Sequence, residues 1–345
     1  MSAPVRDSFR IQADNCEALG SALTARILRL LAEGLAPGTP VADRVLGWPG
    51  DPSSRADALA LRLAGGLHAL VLQGAPVALC SFYANPARYS DIEALAVLLD
   101  TIEQAPVPLM TWLDSAPQTN EVRRSAGLIA AGHWLAARFG MPLVLSELGA
   151  SAGLNLNWDH YALAVGTGFG PAESPLQLTP EWRGAMPPST RPVVASRRGV
   201  DLNPLDVRAD SLRIRSYIWP DQPHRMALTQ TAIDLARDIV VDRGDAIEWL
   251  DARLRTSYPQ HLHLVYHTVA WQYFPKASQM RGTALLQAAG ARANANAPLA
   301  HLSMESDGTE PGAALVLRLW PGAKVIPLGR IDFHGRWVDW QAPAP

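Results

Sequence analysis

An acid followed by a loop of small residues is the feature of this chain most typical of ligand binding. The segment 143–145 reads Leu-Val-Leu, Glu147 follows it, and the loop 149–153 reads Gly-Ala-Ser-Ala-Gly. The apolar run predicts a strand buried on both faces, and we expect a helix after the loop. A strand, a tight turn and a helix bring backbone N–H groups close to a ligand, so we expect the loop to border a cleft. A purely structural turn would favour the same small residues, and this alternative stays open.

Two further acids follow predicted strands. Asp201, with Asn203 close behind, ends the segment PVVASRRGVD, and Asp245 stands with Ala246 between the segment IVVDR and the start of a helix. At the carboxyl end of a strand in an open α/β sheet, a carboxylate is well placed to accept hydrogen bonds from a ligand. Each acid also has a structural explanation, because Asp-x-Asn-Pro is common in turns and Asp245 can cap the helix after it.

A histidine and two aromatic residues form the third group of candidates. His267 comes just after the predicted fourth strand, at the sheet edge where such folds bind ligands, and its ordinary pKa of about 6.5 suits a general base. Trp271 and Tyr273 follow and could line a substrate pocket. A hydrogen-bonded loop histidine and aromatic packing in the core are equally consistent with these positions.

The elements that must position these residues change character at about residue 120. The segments 16–35, 57–72 and 90–104 carry apolar residues at helical spacing, which predicts an N-terminal helical lobe over residues 1–120. Ser90 and Glu93 form a capping-box pattern at the start of the third segment. Asp221 precedes another helical segment, 222–238, and is expected to cap a helix.

Residues 121–345 alternate apolar runs with helical segments, which predicts an α/β fold. We expect a Rossmann-like, doubly wound and mostly parallel sheet that closes with C-terminal antiparallel hairpins at Pro321-Gly322 and His334-Gly335. Residues 157–192, rich in Gly, Pro and Ser, predict an insertion into this domain.

Composition limits the classes of function. The chain has 345 residues, of which 48% are hydrophobic and 18% charged, so a sizeable core is expected. Its net charge of -2 gives no electrostatic reason to expect nucleic acid or an anionic membrane as a partner. The start of the chain lacks the apolar segment of a signal peptide, and the two cysteines have no metal-ligand spacing. We expect a soluble, cytoplasmic protein without a metal site, and its oligomeric state stays open.

The order of the motifs resembles that of class I S-adenosylmethionine-dependent methyltransferases. ELGASAG resembles the first motif of that family, GVDLNP the second and RGDAIEWL the third, while LVYHTVAWQYFP looks like its fourth strand and the loop after it. The resemblance covers residues 121–345 and implies S-adenosylmethionine as cofactor and a small molecule as methyl acceptor. The chain as a whole also resembles an uncharacterised bacterial family, DUF2332, which implies no substrate.

The resemblance implies a role for each matching residue. Glu147 would hold the ammonium group of the cofactor, Asp201 both ribose hydroxyls and Asp245 the adenine amino group. Ser151 stands where the family has its middle glycine. The residues implied to bind the cofactor are Glu147, Gly149, Ser151, Gly153, Asp201, Asn203, Asp245 and Ala246.

Two other functions remain open. A nucleotide-dependent oxidoreductase would use a similar sheet, but the loop lacks the G-x-G-x-x-G spacing of dinucleotide-binding proteins. A binding or regulatory protein could keep the fold and hold a nucleoside ligand without turnover, and Ser151 in place of glycine favours this alternative.

Overall fold

The chain divides into two compact units in a computed structural model that describes residues 3–236 and 239–345. The helical unit contains the chain through Thr119 together with Ala209–Ala227. The sheet unit contains Asn120–Arg208 and Leu228–Pro345. The segment Ala209–Ala227 therefore leaves the sheet unit and completes the helical one, a return that the sequence pattern does not indicate.

Twelve α-helices are found among the described residues. They are α1 (Ala3–Ala18), α2 (Ala22–Gly34), α3 (Pro40–Leu46), α4 (Leu59–Leu72), α5 (Val77–Ala84), α6 (Asp91–Gln104), α7 (Pro106–Leu113), α8 (Ser125–Phe139), α9 (Ser211–Ser216), α10 (Pro223–Leu235), α11 (Ala246–Leu254) and α12 (Lys276–Arg292). The predicted helix 16–35 is wrong at its start, because α1 and α2 are separate helices that break around Gly20 and Ser21. The predicted helix 222–238 corresponds to α10, and its residues 237 and 238 lie outside the described part of the chain.

Helix caps in the helical unit come from near and far in the sequence. The capping box predicted for α6 is present, since Glu93 Oε2 accepts from Ser90 N–H at 2.8 Å and Ser90 Oγ accepts from Glu93 N–H at 3.3 Å. Asp221 caps α2 rather than the helix that follows it. Its Oδ2 accepts from Leu23 N–H at 2.9 Å, and its Oδ1 accepts from the Ser21 hydroxyl at 2.5 Å. The returning segment is thus part of how the first helices are held.

The helical unit has its own apolar core, to which α1 to α7 all contribute. Across the described residues, 3–236 and 239–345, no single helix is long and apolar enough to cross a membrane. By length and composition alone, α4 and α5 would pass that test as a pair bent by 101°.

Eleven strands are found among the described residues. They are β1 (Leu143–Leu148), β2 (Ala162–Leu163), β3 (Gln177–Leu178), β4 (Glu181–Gly184), β5 (Val194–Asp201), β6 (Val241–Arg243), β7 (Leu262–Thr268), β8 (Leu299–Glu305), β9 (Ala313–Trp320), β10 (Lys324–Ile331) and β11 (Trp337–Trp340). Nine of them form one sheet in the order β4-β11-β10-β9-β8-β7-β1-β5-β6, and β2 and β3 form a small separate sheet.

The main sheet is mostly parallel. Strands β6, β5, β1, β7 and β8 pair in parallel, and β8 to β11 form an antiparallel meander with the hairpins predicted from Pro321-Gly322 and His334-Gly335. The fold class is therefore α/β, with a mostly parallel central sheet, antiparallel strands and helices. Strand β4, from the predicted insertion 157–192, pairs in parallel with β11 and so extends this sheet.

Burial explains why β1 and β7 are interior strands of the parallel part of the sheet. Every residue of both strands is buried, as their near-continuous apolar sequences require. Helices α11 and α12 pack against one side of the sheet, where their apolar residues meet Leu148 of β1, Val200 of β5 and Val265 of β7. This packing fixes the carboxyl ends of the three strands that carry the predicted site.

Candidate functional site

The loop 149–153 lies at the point where the order of the parallel strands reverses. It follows β1, which pairs with β5 on one side and with β7 on the other. Crossover connections leave such a strand in opposite directions, and ligands of open α/β sheets bind in the crevice that this opens at the carboxyl ends. The predicted motif therefore occupies the position in the sheet at which ligand binding is most common.

The helix expected after this loop is not an α-helix, which corrects the prediction from sequence. A 3₁₀ segment, Leu154–His160, follows instead, and Asn157 within it leaves helical geometry at φ -100° and ψ 18°. The chain continues into the insertion rather than into a long crossover helix. An anion held by a helix dipole is therefore not expected at this loop.

The two glycines of the loop have a packing role. Gly149 and Gly153 have φ of +70° and +75°, in the left-handed region that favours glycine. A Cβ on Gly149 would lie 2.6 Å from Ala270 Cβ, and one on Gly153 would meet Ile239. The N–H groups of Gly149 and Ala150 both donate to Val200 O. Neighbouring side chains thus occupy the space beside these two glycines.

Glu147 is a buried carboxylate with an unused oxygen. Its side chain lies in β1 at 2% exposure, and Oε2 has no hydrogen-bond partner among the described residues. Burial and then the charge of Asp201 raise the pKa of Glu147 well above its ordinary value, against the smaller effects of Arg124 and Tyr266. A cation beside Oε2 would supply the missing partner.

Ser151 is the second residue of this loop with an unused polar atom. It is 7% exposed, and its Oγ has no hydrogen-bond partner among the described residues. Its N–H donates to Asp201 Oδ2 at 2.9 Å, which ties the loop to the end of β5. Glu147 and Ser151 thus supply unpaired buried oxygens on both sides of Gly149.

Asp201 ends β5, as predicted, and its carboxylate accepts from two backbone N–H groups. Besides the bond from Ser151, it accepts from Asn203 N–H through Oδ1 at 2.9 Å. Asn203 is exposed, and its Oδ1 accepts from Arg243 at 3.0 Å.

Asp245 has the structural role that its sequence context allowed. It is the N-cap of α11, where its Oδ1 accepts from Ile247 N–H at 2.8 Å and Glu248 N–H at 3.0 Å. Ala246 is the buried first residue of that helix. Asp201 pairs in register with Arg243, so both acids stand at the carboxyl ends of the adjacent strands β5 and β6.

A cavity of about 420 Å³ borders the loop. Ala152 lines it, and it is the residue of the loop whose N–H finds no acceptor among the described residues. The remaining lining residues come from the segment after β5 and from the stretch between the end of α10 and the start of β6: Pro204, Leu205, Asp206, Val207, Arg208, Ala236, Ile239 and Val241. Its volume is within the range of about 300–1,000 Å³ found for small-molecule sites.

His267 is inside strand β7, which corrects its predicted position after that strand. It is 2% exposed, with Nδ1 2.7 Å from Glu305 Oε1 and Nε2 3.0 Å from His301 Nε2. Trp271 stacks on its ring at a centroid distance of 4.9 Å. Tyr273 is 68% exposed. The structure brings His267 and Trp271 together and leaves Tyr273 at the surface.

Sequence reasoning missed Glu305 and His301, which engage His267. Burial and then the charge of His267 hold the pKa of His301 well below its ordinary value, so His301 is neutral and one proton links its Nε2 to Nε2 of His267. His301, Ser303 and Glu305 alternate along β8, and polar residues at every second position of an apolar strand share one face. That alternation was the available signal.

Comparisons with known proteins identify the family of this chain. No curated protein and no solved structure matches the chain. A family model described as an uncharacterised protein conserved in bacteria, DUF2332, matches residues 6–340. This match spans both units, from α1 to β11. The chain therefore belongs to the DUF2332 family.

Proposed function

We propose that the sheet unit binds S-adenosylmethionine and transfers its methyl group to a small molecule. The observation that carries the proposal is Glu147 Oε2, a buried carboxylate oxygen without a partner among the described residues. Leaving such a group unpaired is costly, and a ligand cation would stabilise it. S-adenosylmethionine carries an ammonium and a sulfonium group, whereas NAD carries no ammonium.

The arrangement of the strands supports the same ligand. By order in the chain, β6, β5, β1, β7 and β8 are the third, second, first, fourth and fifth strands of the parallel part, as in a Rossmann-like sheet. Asp201 and Asn203 would lie beside the ribose. Both capping bonds of Asp245 use Oδ1, so Oδ2 is the oxygen we assign to the adenine amino group.

The cofactor would supply an activated methyl group, and the residues of the chain would orient it. Methyl transfer is an in-line displacement, so alignment supplies much of the rate and a base is needed only when the acceptor must lose a proton. His267 is buried with both ring nitrogens engaged, and we assign it a positioning role for the loop after β7 rather than that of a base.

Ligand binding without turnover is the second candidate function. The burial of His267 favours it, because the residue predicted as general base does not reach an open surface. Methyl transfer to a panel of small acceptors separates the two candidates. Binding of the cofactor with no transfer to any acceptor, and no methylated product from cell extract, would favour the non-catalytic protein.

Thermal melting with ligands tests the proposal directly. S-adenosylhomocysteine at a hundred times its Kd should stabilise the protein by about 2.7 kcal/mol, and NAD should leave the melting temperature unchanged. Glu147→Gln should lower the affinity for S-adenosylhomocysteine. The affinity for 5′-methylthioadenosine, which lacks the amino-acid portion, should be nearly unchanged. Asp332→Asn is a matched control, because Asp332 is also buried, at 5% exposure, but is paired with Arg336. A shift with NAD alone would defeat the proposal.

Asp201 and Asp245 give a second test of the same site. Asp201→Ala should weaken the binding of S-adenosylhomocysteine by about 1.5–3 kcal/mol, which is the contribution of a hydrogen bond to a charged group. Asp245→Ala should weaken binding less and should lower stability by about 1 kcal/mol through loss of the helix cap. Calorimetric titration with a melting curve for each variant measures both effects. Unchanged affinity in both variants would defeat the site assignment.

A further inference from the structure

Ser151 combines two features that each lower the stability of the folded chain. Its φ is +54°, a left-handed conformation that glycine adopts without strain and a serine does not. Its hydroxyl is buried without a partner among the described residues, which forfeits the hydrogen bonds that the group makes to water in the unfolded chain. Glycine at this position would remove both penalties.

No contact within the described chain compensates for these penalties. The backbone groups of Ser151 are used, since its N–H donates to Asp201 Oδ2 and its carbonyl accepts from Leu205 N–H at 3.3 Å. Glycine would keep both of these bonds. The hydrogen bonds that tie Ser151 to the fold therefore come from its backbone alone.

We propose that the Ser151 hydroxyl contacts the ligand, donating a hydrogen bond to a ligand oxygen, at a cost to the stability of the empty protein. This inference rests on the proposed function and adds a specificity-determining residue to it. Two positions support a polar ligand group at the loop: Glu147 carries the unpaired acceptor, and the Ala152 N–H, on the wall of the 420 Å³ cavity, lacks an acceptor among the described residues.

The accepting oxygen has two sources in the proposed ligand, a carboxylate and a ribose hydroxyl. S-adenosylhomocysteine contains both, and 5′-methylthioadenosine contains only the ribose. A contact to the carboxylate predicts that Ser151→Ala lowers the affinity for S-adenosylhomocysteine alone. A contact to the ribose predicts that the same substitution lowers the affinity for both ligands equally. Either pattern supports the inference, and unchanged affinity for both ligands overturns it.

The experiment measures melting temperature and affinity in Ser151→Gly and Ser151→Ala of the full chain. We expect both variants to melt about 2 °C or more above the wild type without ligand and to bind S-adenosylhomocysteine about tenfold more weakly. Ser151→Ala keeps the Cβ and the backbone conformation, so it isolates the hydroxyl.

Gln260→Gly is the matched control, because Gln260 has a φ of +61° in the sheet unit and is exposed. It should raise the melting temperature and leave affinity unchanged. If wild-type protein fails to bind S-adenosylhomocysteine, the proposed function fails and this inference fails with it. If the wild type binds and both Ser151 variants bind equally well, the inference alone is overturned.

Discussion

Two glutamates lie at the carboxyl edge of the sheet, Glu147 in β1 and Glu305 in β8. They differ in the hydrogen bonds that their side chains accept. Glu305, at 13% side-chain exposure, accepts from His267 and from the N–H groups of Ala270, Trp271 and Gln272. Glu147 Oε2 has no partner among the described residues. A carboxylate that holds a loop has its lone pairs filled by that loop. Under the proposed function, the partner that Glu147 Oε2 lacks is the ligand.

The pKa values of the two glutamates are shifted in opposite directions. Burial raises the pKa of Glu147 well above its ordinary value. Burial would also raise the pKa of Glu305, but the hydrogen bond and charge of His267 and the N–H groups of Ala270 and Trp271 outweigh it and lower that pKa. The two carboxyl groups thus have opposite charge preferences, because Glu305 accepts from several donors that outweigh its burial and Glu147 does not.

The largest expected effect is the loss of Glu305. Glu305→Ala should lower the free energy of unfolding by about 3–5 kcal/mol, because it leaves His267 and three backbone N–H groups without their acceptor. Urea denaturation measures the change. Glu181→Ala is the control, since Glu181 makes an exposed ion pair with Arg183 and should lose less than about 1 kcal/mol. Similar losses in both variants would remove the distinction between the two glutamates.

The contact between the loops after β1 and β7 comes next. Gly149→Ala should cost about 2–4 kcal/mol, because the new Cβ meets Ala270 Cβ at 2.6 Å and the backbone has positive φ. Gly140→Ala is matched, with φ of +61° and open space around it, and should cost about 1 kcal/mol. Adding Ala270→Gly to Gly149→Ala should recover the steric part. Equal losses for Gly149 and Gly140 would contradict the loop contact.

The smallest effect expected is a difference in pH dependence between the two sites. Because the folded pKa of Glu147 exceeds its ordinary 4.5, the stability its proton provides is complete below pH 4.5 and lost as pH rises through the folded pKa. Glu147→Gln should therefore be similar in stability to wild type near pH 4.5 and become more stable than wild type, by about 1–3 kcal/mol, once the pH exceeds the folded pKa.

The lowered pKa of Glu305 predicts the opposite trend. The stability that its carboxylate provides is present above the ordinary value of 4.5 and lost as pH falls through the folded pKa. Comparison of Glu305→Gln with wild type by denaturation across this range should show a difference that shrinks in acid. Parallel trends for Glu147 and Glu305 would show that the two carboxylates have similar environments.

Local patterns in the sequence predicted the parts of the site that lie within one segment. The apolar run of β1, the loop 149–153, the end of β5 at Asp201 and the hairpins each depend on neighbouring residues, and each is found where expected. The cap at Asp245 was one of two explanations that its local context allowed.

The parts that sequence reasoning missed depend on pairing between distant segments. Glu305 meets His267 only because β7 and β8 pair with His267 opposite Ser303, and no local pattern contains that register. The 3₁₀ segment Leu154–His160 replaces a helix because the chain turns into the insertion, whose strand β4 pairs with the distant β11. Short helices such as α3, α5 and α7 offer too few turns for periodicity to be recognised.

The cap that Asp221 provides for α2 has a consequence for how the chain is made. N-terminal domains generally fold first during synthesis, as soon as their own sequence has emerged. In this chain the hydrogen-bond partner of Ser21 and Leu23, Asp221, is synthesised only after β1 and β5. At roughly 5–20 residues per second, ribosomes need on the order of ten seconds to pass from Thr119 to Ala227. During that interval the first helices emerge without the carboxylate that later caps them, so the helical unit is complete only after a large part of the sheet unit has been synthesised.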